Sequence, residues 1–289
     1  MLKYLLAALF ALLPLAAFAQ APTRFSVTVE GAGPDVIMIP GLTSHRRVWD
    51  QAIAGLGGRY RVHRIQINGF GGAPAGANAE GPVLDNVVTE LHAYVRANRL
   101  ERPILVGHSV GGLIALMLAQ RHPDHVERAL IVDALPFYGL LFGADATAAS
   151  VEPRATALRD AILAMSEEQY RARQPASLAA MVMTDAERPR LLEDALASDR
   201  RVVARVLYED MIADLRPALA AMRIPLTVAY AVNPFATEAW FGSLVRASYA
   251  GAPAVRLIPV EPSYHFIMLD QPERFQAILT AFLAGTAAR

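Results

Sequence analysis

The sequence predicts an α/β domain built on a mostly parallel sheet, and three observations carry that expectation. Short apolar runs recur along the chain: DVIMI at 35–39, YRVHRIQI at 60–67, PILV at 103–106, ALIV at 129–132, LTVAY at 226–230 and AVRLI at 254–258. Such near-continuous runs suit strands covered on both faces, as in a parallel sheet. Segments with helical spacing lie between most of them, which is the alternation of an α/β domain. One stretch, from about 136 to about 222, breaks the rhythm with no convincing strand.

Taken in order, the chain opens with MLKYLLAALFALLPLAAFAQ, a single Lys before an apolar run that ends in Ala17-Phe18-Ala19. A charged start, an apolar middle and a small-x-small end read as a secretory signal peptide over 1–19, cleaved after Ala19. An uncleaved anchor would need about 20 apolar residues and a charged stop, and Pro14 interrupts the run. An exported protein, periplasmic or secreted, is expected. Next, Phe25, Val27 and Val29 alternate with polar residues as in a half-buried strand, and GAGP turns the chain back. Val83, Val87, Leu91 and Val95 fall four apart on one helical face, and 111–120 reads as a small, apolar helix opening directly after a strand. From 136 to 222, Leu, Ala, Met and Arg recur at helical spacing, with Pro153, Pro175 and Pro189 as breaks. This part is expected to form a helical lid over the carboxyl edge of the sheet, inserted into a core of 20–135 and 223–289. No repeat or linker suggests a second domain.

Composition narrows the function. Lys and Arg total 27, as do Asp and Glu, so no bulk field favours nucleic acid or an anionic membrane. The absence of cysteine excludes thiolate chemistry, disulfides and a Cys-ligated metal. No spaced pair of histidines with a carboxylate suggests another metal site, so no metal and no cofactor are expected.

The strand at 104–106 runs into Gly107-His108-Ser109-Val110-Gly111-Gly112 and then into an apolar helix, which puts a GxSxG motif at a strand-to-helix turn. A turn this sharp needs glycine at its flanks and holds the serine hydroxyl exposed above the sheet. The helix that starts there aims backbone N–H groups and a positive dipole end at any oxyanion formed beside it. Ser109 is the candidate nucleophile.

With GHSVGG at 107–112, PGLTS at 40–44 and HFIMLDQPERF at 265–275, the chain resembles the α/β-hydrolase superfamily from about Phe25 onward. The resemblance implies an α/β-hydrolase fold with a helical cap and His265 as the catalytic base. It also implies an oxyanion hole formed by the backbone N–H groups of Leu42 and Val110. Imidazole suits the base's task because its pKa lies near neutrality. Asp270, in the same segment, reads as a cap of the following helix. The acid is ambiguous. Many relatives carry it after the penultimate strand, where this chain has Asn233 and, further on, Glu238; others supply it from the end of the strand after the nucleophile helix, which here is Asp133.

Serine, histidine and an oxyanion hole together imply acyl transfer, with hydrolysis of a small to medium carboxylic ester the leading expectation. Carbon–carbon hydrolysis or transfer to an alcohol could run on the same groups, and a binding module without turnover is the reading from another class. Phe137 and Phe142, close after Asp133, are the expected walls of an apolar pocket.

Overall fold

A computed structural model describes residues 21–285 of the protein; the proposed signal segment at 1–19 lies outside the described residues. The chain begins with β1 (Phe25–Glu30), β2 (Asp35–Ile39), a short helix α1 (Asp50–Ala54) and β3 (Arg61–Ile67). Then α2 (Leu84–Ala97), β4 (Ile104–His108), α3 (Val110–Arg121) and β5 (Ala129–Val132) follow in alternation. Four helices come next: α4 (Ala148–Ala164), α5 (Glu167–Ala179), α6 (Arg188–Leu196) and α7 (Arg200–Ile212). The chain returns to the sheet with β6 (Leu226–Ala231), α8 (Ser243–Tyr249) and β7 (Val255–Val260), and closes with α9 (Ile267–Asp270) and α10 (Pro272–Leu283).

The strands form one seven-stranded sheet in the order β1-β3-β2-β4-β5-β6-β7. Only β1 runs antiparallel to its neighbour, so the expected mostly parallel sheet is present. The apolar runs are continuous because both faces are covered. Ile37, Ile39, Leu105 and Ile131 point to the layer of α2 and α3, while Val36, Met38, Val106 and Leu130 point to the layer of α1 and α10. Successive residues of a strand face opposite sides, so each layer takes alternate side chains of the same run.

Between β5 and β6 the described residues contain helices and turns and no strand. Helix α4 packs along α7, and α5 against α6. Two prolines expected to break helices do not. Pro153 lies inside α4 and Pro175 inside α5, whereas Pro189 sits in the first turn of α6. A proline removes one N–H and leaves the carbonyl four residues earlier without its bond. Here those carbonyls belong to Ala149 and Arg171, both exposed, so water can take the lost donor's place.

Candidate active site

The parallel register brings the ends of β2, β4, β5, β6 and β7 to one edge. Just past β4, Ser109 adopts φ 53° and ψ −127°, a strained conformation for a residue with a side chain. It is held there by its own N–H on the carbonyl of Val132 at 2.9 Å and by its carbonyl, which accepts from Gly112 and Leu113. A Cβ on Gly107 would overlap the carbonyl oxygen of Gly111, and one on Gly111 would overlap that of Ile39. The two glycines are therefore what lets β4 turn into α3 within so few residues.

One strand over, Asp133 ends β5 with φ 49° and with its N–H on the carbonyl of Ala229 at 2.7 Å. Its Oδ1 accepts from the Ala231 N–H at 2.8 Å, and its Oδ2 lies 2.6 Å from Nδ1 of His265. That pairing places the ring proton on Nδ1 and leaves Nε2 as the free acceptor. Beneath the carboxylate, buried Tyr249 donates to the carbonyl of Ala134, and burial next to Asp133 pushes its phenol up.

His265 stands on the loop between β7 and α9, and contacts from several other segments fix that loop. His108 Nε2 donates to the carbonyl of His265 at 3.0 Å, and Asn233 Nδ2 donates to that of Ser263 at 3.0 Å. The N–H of Tyr264 reaches Oδ2 of Asp270 at 2.9 Å, and the N–H of Phe266 reaches the carbonyl of Met181. Burial, reinforced by the neighbouring His265, holds His108 well below the usual histidine range, so it stays neutral and keeps this orientation.

Ser109, His265, Asp133, Leu42 and Val110 all line one cavity of about 310 Å³, at the small end of the range of about 300–1,000 Å³ that ligand sites occupy. The N–H groups of Leu42 and Val110 have no acceptor among the described residues. The other two candidate acids are engaged elsewhere. Glu238 takes the hydroxyl of Tyr230 and the guanidinium of Arg246. Asn233 uses its Oδ1 to accept from the N–H groups of Phe235 and Ala236 in a tight local turn.

The expected pocket walls are corrected. Phe137 is fully buried beneath the Arg216 guanidinium, and Phe142 is partly exposed beneath that of Arg154. Their neighbours Tyr138 and Leu141 line the cavity instead. Residues 138–142 form a 3-10 turn, in which positions three apart share a face, so 138 and 141 point together and 137 and 142 do not.

Asp270 is also corrected. It does not cap α10; it is buried, and besides Tyr264 it takes the N–H groups of Met183 and Thr184 at 2.9 Å each. It thereby ties the His265 loop to the segment after α5. A second tie joins α6 to the loop after β2: Arg47 pairs with buried Asp194 at 2.6 Å. Nothing local in the sequence marks either pairing, because the partners lie far apart in the chain.

A family model described as "Alpha/beta hydrolase family" matches residues 36–278. Among curated proteins, the pimeloyl-[acyl-carrier protein] methyl ester esterase of Aeromonas hydrophila subsp. hydrophila is 34% identical over 115 residues, 39% of this chain and 43% of that protein. The match thus spans less than half the length of that relative. Among solved structures, the enol-lactonase from Burkholderia xenovorans LB400 superposes with a TM-score of 0.71 at 20% identity, covering 90% of this chain and 96% of that one. The esterase EaEST from Exiguobacterium antarcticum gives 0.73 at 18% identity, covering 90% and 95%. At these identities the structural likeness speaks to the fold alone.

Proposed function

As the chain belongs to the alpha/beta hydrolase family, we propose that it is a serine hydrolase that cleaves carboxylic esters through an acyl-enzyme, with Ser109, His265 and Asp133 as its triad. The observation that carries this reading is the 2.6 Å contact between Asp133 Oδ2 and His265 Nδ1 at the rim of the cavity that Ser109 also lines. In the proposed reaction the ester carbonyl enters above Ser109. His265 Nε2 takes the hydroxyl proton as Oγ attacks, and Asp133 holds the ring's orientation and offsets the charge of the imidazolium. The carbonyl oxygen becomes an oxyanion facing the N–H groups of Leu42 and Val110, which have no partner among the described residues and need no reorganisation to receive it. His265 then returns its proton to the departing alcohol. A water, activated by the same nitrogen, releases the acid.

The walls suit a small, mostly apolar ester: Leu42, Leu141, Met181, Val206 and Phe241 contribute hydrocarbon surface. The methyl ester named in the curated relative is consistent with such a substrate class. The amino-terminal apolar run supports the further proposal that the enzyme works outside the cytoplasm, and the mature chain recovered from the periplasm or medium should begin at Gln20.

The test is hydrolysis of p-nitrophenyl butanoate by the wild type, Ser109→Ala and His265→Ala. Loss of a triad serine or histidine typically costs about a million-fold in kcat. Turnover that survives undiminished in folded Ser109→Ala would put the chemistry elsewhere.

A further inference from the structure

One charged group in the cavity has no part in that mechanism. Asp210, in the last turn of α7, lines the cavity on the lid side, and no hydrogen bond or ion pair reaches its carboxyl among the described residues. The acids that flank it in the chain are occupied. Asp194 pairs with Arg47, Asp199 caps α7 and pairs with Arg201, Glu209 accepts from the N–H groups of Val83 and Leu84, and Asp214 pairs with Arg216.

Asp210 is placed against every local preference. An anion in the last turn of a helix opposes the helix dipole. Asp210 is half-buried and faces an apolar cavity without a protein partner, a costly setting for a carboxylate. Around it stand Val206 and Leu207 of its own helix and Tyr138, and no Lys or Arg among the described residues lines the cavity to balance the charge. Such a violation of several rules at once is expected where a group is kept for binding. Burial pushes the Asp210 carboxyl up to about 7, while the nearby His265 pulls it down. Near neutrality the group can therefore release its proton to meet an incoming cation.

We propose that Asp210 is a specificity-determining residue that receives a protonated amine carried by the substrate, so that the preferred substrates are short esters with a basic nitrogen on an otherwise apolar body. A neutral hydroxyl could donate to the same carboxyl but would leave its charge unbalanced. An ammonium group supplies both the hydrogen bond and the counter-charge, and such charge-assisted bonds are about twice as strong as neutral ones. An anionic substrate would meet repulsion at the same point. This inference rests on the esterase reading above.

The test compares esters matched in shape: 2-(dimethylamino)ethyl butanoate against 3-methylbutyl butanoate for an amine on the alcohol side, and methyl 6-aminohexanoate against methyl heptanoate for one on the acyl side. The wild type should favour the amine in at least one pair by about tenfold or more in kcat/KM, after correction for alkaline hydrolysis rates. Asp210→Asn should bring that ratio close to one, and Asp210→Glu should restore part of it. A merely structural role would lower both members of a pair equally and leave the ratio alone, which would overturn the proposal, as would a ratio of one in the wild type. If p-nitrophenyl butanoate is cleaved in a Ser109-dependent way while the wild-type ratios stay at one, only the amine proposal fails. If the wild type cleaves no ester, the esterase reading fails and takes this one with it.

Discussion

The carboxylate of Asp133 is shared between the Ala231 N–H and the His265 ring, so its position is fixed from the backbone of β6 as well as from the imidazole. Replacing it by Asn keeps the shape and removes the charge. Asp133→Asn should therefore lower kcat about ten-thousand-fold while the fold survives, whereas Glu238→Gln, whose carboxylate is engaged with Tyr230 and Arg246, should cost less than about threefold. Steady-state kinetics on both variants checks the assignment, and a loss below about tenfold in Asp133→Asn would remove Asp133 from the triad. The setting of Ser109 was legible in the sequence because its signature is local, a strand, a tight turn and a helix written in consecutive residues. Which of Asp133, Glu238 and Asn233 stands against the His265 ring was not, since it depends on which strand ends lie next to the His265 loop. The pocket wall failed for a related reason: two aromatic residues are conspicuous in the sequence, but the 3-10 turn that carries them gives the cavity to Tyr138 and Leu141.

Among the elements, the α/β alternation could be read from apolar runs and helical spacing, but the ties between elements could not. Asp270 is the clearest case. As a helix cap it would hold its own neighbours; in the structure it gathers three N–H groups from two separate segments, at 183–184 and at 264. Leaving a buried N–H without an acceptor costs about 1–3 kcal/mol. Asp270→Ala should therefore lower Tm by about 5–10 °C, on the scale of about 2–4 °C per kcal/mol for a chain of this size. Because the same contacts seat the His265 loop, kcat should fall more than KM changes. Calorimetry together with kinetics checks this, and an unchanged Tm would mean that water replaces the carboxylate at no cost. Pro153 and Pro175 make the complementary point: the sequence marks where a helix is weakened, while solvent exposure decides whether it ends.

For the molecule as a whole, stability rests on two apolar layers against one sheet, with no cysteine to add a covalent link. One surface cluster is expected to make that stability depend on pH. His92 of α2 stacks on His122 at 3.5 Å between ring centroids, and its Nε2 lies 2.6 Å from Nδ1 of His125. Desolvation, then repulsion from His122 and His125, lowers His92 from 6.5 to about 4. A histidine lowered on folding binds more protons unfolded than folded, so the stability it contributes is complete above about pH 6.5 and is lost as pH falls toward 4. Thermal melts should show Tm declining through that window, with a shallower decline in His92→Asn; equal slopes would mean that the cluster does not titrate with folding.

The central claim is that Ser109 is a nucleophile activated by His265, and covalent labelling reads it most directly. The protein is incubated with a fluorophosphonate, and its intact mass and tryptic peptides are followed in time. The account predicts a single phosphonyl adduct on the peptide bearing Ser109, absent in Ser109→Ala and slowed at least about a thousand-fold in His265→Ala. A folded wild-type protein that takes no adduct, or one that labels at the same rate without His265, would contradict it.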